Sequence, residues 1–271
     1  MKYFITFVLS CYIGLVAVAQ SFTFNDLPWL TSPPTSSRFI PTSPTNTFLL
    51  WAELTPTNGT FGGSAGATVP ANDNQDIKYW TNLCGFISGS RWTADQTLHP
   101  TNFVSGGGGN GTSPRVLFTA ASPTRMVGPT IPDLTNKFTV IAVANCDATS
   151  GIDSILADGI TGNTWINYNA HKLEMSQGTT ISSAATMGAG YYVITVVFAA
   201  GASSHIDTNG VLMVSGNAGT ANLRSPYIGQ AGSAIYHGSI CRIWGWYGIL
   251  NSTDLTAAVH QCGIDFGITT P

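Results

Sequence analysis

The stretch HIDTNGVLMV, residues 205–214, carries the clearest signal for the fold class of this chain. Two short runs of alternating apolar and polar residues flank Asn209-Gly210, a dipeptide that tolerates the positive φ angles of a two-residue hairpin turn. The stretch therefore predicts a tight hairpin of two antiparallel strands.

The chain after Thr47 repeats this pattern of short runs broken by turns. β-branched and aromatic runs alternate with segments rich in Gly, Asn, Ser and Pro, which predicts an all-β, antiparallel sandwich or jelly roll. The predicted strands cover residues 48–52, 77–80, 115–119, 138–144, 154–157, 165–168, 172–175, 191–198, 205–207, 211–214, 227–229 and 240–249. One segment, 251–266, is typical of a short C-terminal helix, because apolar residues recur there at three- and four-residue spacing. The candidate N-caps are Ser252, Thr253 and Asp254.

An ordered series of segments resembles the concanavalin A-like lectin and glucanase superfamily, in particular its laminin G-like domain of the bacterial and phage type. The segments are LWA (50–52), DIKYWTN (76–82), the lone Pro100, SPRVLFTAA (113–121), KFTVIAVAN (137–145), YYVITVVF (191–198), IDTNGVLMVSG (206–216), YIG (227–229) and YHGSICRIWGWYGILNSTDL (236–255). The resemblance spans residues 48–267 and implies a concanavalin A-like jelly roll with one concave sheet. Such proteins bind sugars or protein partners, cleave glucans, or build surfaces, so the fold alone leaves the function open.

Three regions follow along the chain. Residues 1–19 combine an early Lys2, an apolar run and the small residues Ala17 and Ala19, which predicts a cleaved signal peptide. Residues 20–47 form an arm or linker rich in Pro, Ser and Thr, and residues 48–271 form the laminin G-like jelly-roll domain. We expect a secreted protein, extracellular or on a cell or virion surface, with no membrane segment once the signal is removed.

The composition excludes one class of partner and shapes the expected surface. Only 8% of residues are charged, 44% are hydrophobic, and the formal net charge is −3. The ten Lys and Arg residues do not cluster, so nothing in the sequence suggests a nucleic-acid surface. Ser, Thr, Asn and Gly must cover much of the exterior.

Export would place the cysteines in an oxidising compartment. Without Cys11 of the signal segment an even number remains, which predicts two disulfides of undetermined connectivity, with four buried free thiols as the alternative. These cysteines are Cys84, Cys146, Cys241 and Cys262. Three triplets fit the N-glycosylation pattern, at Asn58, Asn110 and Asn251.

The segment 240–250 could be a ligand platform or a core strand. In an extended strand Ile240, Arg242, Trp244, Trp246 and Leu250 share one face, and Cys241, Ile243, Tyr247 and Ile249 share the other. A guanidinium beside two indoles suits sugar binding, so Arg242, Trp244 and Trp246 are carbohydrate-binding candidates. Packing is the favoured alternative, because Trp in a strand more often packs than binds. Arg91 and Trp92, in an expected loop, are further exposed candidates.

Catalytic and metal motifs are weak. The chain has only two glutamates, Glu53 and Glu174, and no paired carboxylates like those that retaining glycosidases use, so we expect a protein without enzyme activity. Calcium is the one cofactor that the sequence suggests, through Asp73, Asn74 and Asp76, although a solvated turn is the favoured interpretation.

These observations lead to two functional hypotheses. The first is a non-catalytic module that binds glycans or a cell surface. The second is a structural subunit of an extracellular assembly, such as a virion decoration protein, a fibre or a filament, in which copies of the chain associate.

Overall fold

The computed structural model describes residues 50–54, 60–61, 77, 79–81, 91–94, 103–118, 125–128, 136–146, 152–232 and 234–271. The strands are β1 (Leu50–Leu54), β2 (Thr60–Phe61), β3 (Tyr79–Thr81), β4 (Arg91–Ala94), β5 (Phe103–Gly108), β6 (Ser113–Phe118), β7 (Met126–Val127), β8 (Lys137–Cys146), β9 (Ile152–Asp158), β10 (Thr164–Asn169), β11 (Lys172–Gln177), β12 (Thr180–Ser182), β13 (Gly190–Ala199), β14 (Ser204–Thr208), β15 (Val211–Gly216), β16 (Pro226–Ile228), β17 (Gln230–Ala231), β18 (Ala234–Ile235) and β19 (Gly238–Tyr247). Helix α1 covers Ser252–Phe266.

Two antiparallel sheets form a sandwich. In the described residues, the eight-stranded sheet runs β15-β14-β13-β8-β19-β6-β5, and β1 also pairs with β19. The nine-stranded sheet runs β12-β11-β10-β9-β16-β7-β4-β3-β2, and β17 and β18 form a small separate ribbon. The prediction of an antiparallel β-sandwich with a short C-terminal helix is confirmed.

The main core lies between the two sheets. Alternate residues of the eight-stranded sheet, such as Phe138 and Phe198, meet residues of the nine-stranded sheet such as Trp80 and Ile166. Phe138 and Phe198 stack with ring centroids 4.2 Å apart. The period-two alternation of each strand thus supplies one apolar face per sheet.

The hairpin between β14 and β15 forms as predicted. Asn209 and Gly210 have φ angles of 51° and 79°, the left-handed values that a type I′ turn needs. The Asn209 side chain also accepts a hydrogen bond from the Val193 amide at 2.8 Å, which ties the turn to β13.

Helix α1 covers the far side of the eight-stranded sheet and builds a second core there. Its Ala258, Val259, Cys262 and Phe266 pack with Ile141 and other residues of the sheet. The N-cap is Asn251, whose Oδ1 accepts from the Asp254 amide at 2.8 Å, and not one of the three residues expected from the sequence. Asn251 reaches the cap because its own backbone is extended. Among the described residues, no helix has the length and hydropathy needed to cross a bilayer.

A β-bulge in β19 changes the predicted face assignment. The pairing of β19 with β8 shifts between Ile240 and Arg242, so Cys241 is an extra residue. Ile240 and Ile243 consequently point into the sandwich core, whereas Cys241 joins Trp244 on the helix side. The strict alternation expected for this strand fails at this one residue.

Candidate functional site

The predicted sugar platform on β19 lies beneath α1. Arg242, Trp244 and Trp246 are each at most 2% exposed. The Arg242 guanidinium carbon is 4.5 Å from the centroid of the Trp244 ring and 4.7 Å from that of Phe266 on α1. Its Nη1 also donates to Asp265 Oδ2 at 2.6 Å. These candidates are therefore packing residues, because the helix fills the space that a sugar would need.

The second predicted anchor is also buried. Trp92 is 0% exposed and lies in β4 directly opposite Trp80, not in an exposed loop. It belongs to the core between the sheets. Arg91 is the first residue of β4. The aromatic pair Trp80 and Trp92 thus stabilises the sandwich and presents no ring to solvent.

The cysteines depart from the expected disulfides where the structure describes their side chains. Cys241 and Cys262 are free, buried thiols, which is the alternative considered for them. Burial raises the pKa of Cys241 to about 12 and that of Cys262 to about 11. Cys146 ends β8, and Cys84 lies outside the described residues.

Some sequence candidates lie outside the described residues, namely Asp73, Asn74, Asp76 and Asn58. Asn110 and Asn251 are exposed. Asn110 Oδ1 accepts hydrogen bonds from the amides and hydroxyls of Thr112 and Ser113 at the β5–β6 turn. In the described part of the chain, no three His, Cys, Asp or Glu side chains converge as metal ligands.

The nine-stranded sheet offers a different surface, the outer face, which points away from the sandwich core. On this face, side chains that are directly opposite one another on neighbouring strands form two rows, which we call the first row and the second row. The first row is Tyr79, Thr93, Val127, Tyr227, Ala157, Trp165, Ser176 and Thr180. The second row is Ser154, Asn167, Glu174 and Ser182. Neighbouring residues such as Ile166 and Met175 point into the core, which orients both rows outward.

Trp165 is the open aromatic residue of the first row. Its side chain is half-buried, and its indole makes no hydrogen bond and no ring contact within the described part of the chain. Buried Trp N–H groups usually find a partner, whereas an open indole can stack on a ligand and donate to it. Trp165 therefore has both a flat surface and a donor available.

Two side-chain oxygen atoms of the second row, close to Trp165, have no hydrogen-bond partner among the described residues. Asn167 is 6% exposed and Ser154 is 0% exposed, and they are directly opposite each other on β10 and β9. Neither Asn167 Oδ1 nor Ser154 Oγ has a hydrogen-bond partner in the described part of the protein. Such groups are uncommon in folded proteins because leaving them unpaired costs about 1–3 kcal/mol each. The described fold therefore leaves two buried oxygen atoms of the second row without a hydrogen bond.

Glu174 extends the second row onto β11. The carboxylate is half-buried, and its Oε2 accepts from Asn169 Nδ2 at 3.2 Å. Asp153 is buried on the core side of β9, where its Oδ1 is 2.6 Å from His237 Nδ1. Glu174 is therefore the one carboxylate in the two rows.

Tyr227 occupies the first row two strands from Trp165. The Arg125 guanidinium carbon lies 4.7 Å from the centroid of its ring. A Cβ on Gly159 would collide with the same ring, so the ring lies against the backbone there. Tyr227 and Arg125 form a stacked pair, which we call the Arg125–Tyr227 stack.

Asp158 holds together the chain segments that carry Trp165 and Tyr227. Its Oδ2 accepts from the Thr161 amide at 2.7 Å and the Thr161 hydroxyl at 2.6 Å, in the turn before β10. Its Oδ1 accepts from the Arg224 and Ser225 amides at 2.9 and 3.2 Å, just before β16. Burial alone would raise the pKa of Asp158, but these hydrogen bonds outweigh it and lower the pKa below its ordinary value.

None of the outer-face residues was among the sequence candidates. The signal was present in TWINYN, residues 164–169, where Trp and Asn alternate with Ile and Tyr. This alternation predicts one apolar and one polar-aromatic face for β10. The alternation does not show which face another element covers. The sequence prediction therefore chose the larger aromatic cluster on β19.

Comparisons with known proteins match the fold. No protein-family model and no curated protein matches the chain. The binding domain of botulinum neurotoxin serotype D superposes with a TM-score of 0.52 and 9% identity, covering 79% of this chain and 53% of that one. A mutant Trypanosoma rangeli sialidase with trans-sialidase activity superposes with a TM-score of 0.52 and 12% identity. The match covers 82% of this chain and 34% of the sialidase. Botulinum neurotoxin type C, a toxin whose cell entry depends on interaction with two ganglioside molecules, superposes with a TM-score of 0.50 and 9% identity. The match covers 78% of this chain and 50% of that one.

This chain thus spans about half the length of the toxin structures and about a third of the sialidase. At these identities the likeness establishes a shared β-sandwich fold.

Proposed function

We propose that this chain is an exported, non-catalytic glycan-binding module, and that its outer face is the binding surface. The observation that carries the proposal is the open indole of Trp165 beside two buried, unpartnered oxygens, Asn167 Oδ1 and Ser154 Oγ. Sugars present flat C–H surfaces and hydroxyl groups, so they suit a ring and polar atoms placed side by side. Only 8% of the residues are charged, a composition that fits a neutral ligand.

The carboxylates support binding without catalysis. Glycoside hydrolysis commonly needs two carboxyl groups, about 5 Å apart in retaining enzymes and farther apart in inverting ones. Glu174 contributes one carboxylate to the second row, and Asp153 is turned into the core. We therefore assign the two rows to recognition.

The comparisons and the resemblance support the same class of ligand. A toxin of the same fold depends on gangliosides for cell entry, and a sialidase of the same fold has trans-sialidase activity. The laminin G-like resemblance adds sugar-binding relatives. A glycan on a cell surface or in the extracellular matrix is accordingly the proposed partner.

Glycan-array binding by the full chain tests the proposal. We expect Trp165→Ala to weaken binding by about five- to tenfold, because one lost ring contact is worth about 1–1.5 kcal/mol. Trp165→Phe keeps a ring and should retain most of the signal. Ile264→Ala, at a 64% exposed site on α1, is the matched control and should bind like the parent. A parent protein that binds no glycan would remove the proposal.

One observation favours the second hypothesis, a structural subunit. Edge strand β15 carries no charged residue, and its Val211 and Leu212 are 57% and 59% exposed. Uncharged, apolar edges favour pairing with another chain. A protein that binds no glycan but sediments as an assembly would favour this function over glycan recognition.

A further inference from the structure

We infer that the outer face binds an extended, linear, β-linked glycan whose chain runs across the strands. This inference rests on the proposed function and adds the class and length of the ligand. It follows from the cross-strand register of the first row and from the small residues that separate its flat side chains.

The register places the flat side chains of the first row in one line perpendicular to the strands. Trp165 on β10 is directly opposite Ala157, and Ala157 is directly opposite Tyr227 on β16. Three further steps along the row, through Val127 and Thr93, lead to Tyr79 on β3. Neighbouring strands are about 4.8 Å apart, so Tyr227 lies about 10 Å and Tyr79 about 24 Å from Trp165.

This spacing matches the repeat of a stretched sugar chain. One strand separation, about 4.8 Å, is close to the advance per residue of an extended β-linked polysaccharide. A chain laid along the first row would meet a flat side chain at its first, third and sixth residues. A single terminal sugar, by contrast, would use Trp165 and the second row only.

Small side chains separate the flat ones. Ala157, Val127 and Thr93 occupy the intervening positions of the first row, and none of them is larger than valine. Thr93 is exposed and Val127 is half-buried, whereas Ala157 is 1% exposed, so a bound chain would contact Val127, Thr93 and the side chains on either side of Ala157. A row of this shape fits a flat ribbon better than a branched or compact glycan.

The Arg125–Tyr227 stack forms the middle contact. The Tyr227 ring lies against Gly159, where any Cβ would collide with it, and the Arg125 guanidinium covers the ring. The stack therefore places a planar guanidinium over the middle of the first row, and guanidinium groups suit the recognition of oxygen atoms. Gly159 acts as a positioning residue because it leaves the space that the Tyr227 ring occupies.

The outer face carries charges of both signs. Glu174 stands beside Asn167 in the second row, and Lys172 lies two residues away on the same side of β11. The Arg125 guanidinium adds a second positive charge over the Tyr227 ring. The spacing of the first row, and not the charge of the face, therefore defines the ligand class, and linear β-1,4-linked glucose and N-acetylglucosamine chains are its simplest probes.

Isothermal titration of the full chain with cello- and chito-oligosaccharides of about two, four, six and eight residues tests the inference, with lengths set by the strand spacing. We expect affinity to rise by about tenfold or more from two to six residues and then to level off. Equal affinity for two and six residues overturns the inference but leaves the proposed function standing. No binding to either series also overturns it, and the glycan array then decides the proposed function separately.

Three variants locate the contacts. Trp165→Ala should weaken every length, whereas Tyr79→Ala should weaken only chains of about six residues or more, by about tenfold. Gly159→Ala should displace the Tyr227 ring and weaken chains of about four residues or more. If Tyr79→Ala, with its fold intact by circular dichroism, binds the long chains like the parent, the chain does not follow the first row and the inference fails.

Discussion

The ion pair between Arg242 and Asp265 should hold α1 onto the eight-stranded sheet. Arg242 Nη1 lies 2.6 Å from Asp265 Oδ2, and the side chains are 2% and 13% exposed. The guanidinium also lies between the Trp244 and Phe266 rings. We expect the two single substitutions to be unequal in their effect on the free energy of unfolding.

The structure allows the magnitudes to be estimated. Asp265→Asn leaves a buried guanidinium without its counter-charge, and breaking a buried pair in this way costs about 3–5 kcal/mol. Arg242→Met leaves a carboxylate that is nearer the solvent and still accepts from Gln261 Nε2 at 2.7 Å. Methionine also keeps part of the packing, so we expect a smaller loss, about 2–3 kcal/mol.

A double-mutant cycle followed by urea denaturation measures the coupling. Arg242→Met/Asp265→Asn should be about as stable as Arg242→Met alone, which gives a coupling energy equal to the Asp265→Asn loss, about 3–5 kcal/mol. Additive losses, within about 0.5 kcal/mol, would refute the assigned role of the pair. Because Arg242 lies on the other sheet from the outer face, Arg242→Met should also retain any glycan binding that the parent shows.

Two further predictions concern a buried carboxyl and the thiols. The pKa of Asp158 is lowered by folding, so its stabilising contribution is complete above the ordinary value of 3.8 and is lost as the pH falls through the lowered pKa. Asp158→Asn should therefore lower the free energy of unfolding by about 2 kcal/mol at pH 7. Chemical denaturation should show that the difference in unfolding free energy between the parent and this variant shrinks in acid. Maleimide should label Cys241 and Cys262 slowly in the folded protein, because burial raises the pKa of both thiols, and rapidly after denaturation without reductant. If peptide mass spectrometry of the unreduced protein finds Cys241 or Cys262 in a disulfide, that result contradicts the structure.

Local sequence was sufficient for the main strands. Each predicted run overlaps an observed strand, and the Asn209-Gly210 turn forms where expected. The strands that were not predicted are short or poor in β-forming residues; β5, FVSGGG, is half glycine. Its pairing with β6 forms the strand despite weak propensity, because strand preference depends strongly on the neighbours that a strand meets.

The errors at β19 arise from features that local sequence does not report. A single inserted residue, Cys241, reverses the face of Ile240 relative to Ile243. The same residues, Arg242 and Trp244, would be a platform on an open sheet and are packing beneath a helix. That difference depends on where α1 docks, which is a long-range property of the fold.

The position of α1 also explains why the outer face, and not β19, is the candidate site. Only four residues, 248–251, connect β19 to α1, and the helix packs back onto the sheet that contains β19, as consecutive elements joined by a short connection usually do. The Leu250 amide donates to Thr139 Oγ1 at 3.2 Å, which fixes this return against β8. Within the described residues this one helix shields the eight-stranded sheet and leaves Trp165 on the other sheet half-exposed. The packing of α1 therefore makes the aromatic residues of β19 part of the core, whereas Trp165 on the other sheet keeps part of its surface exposed.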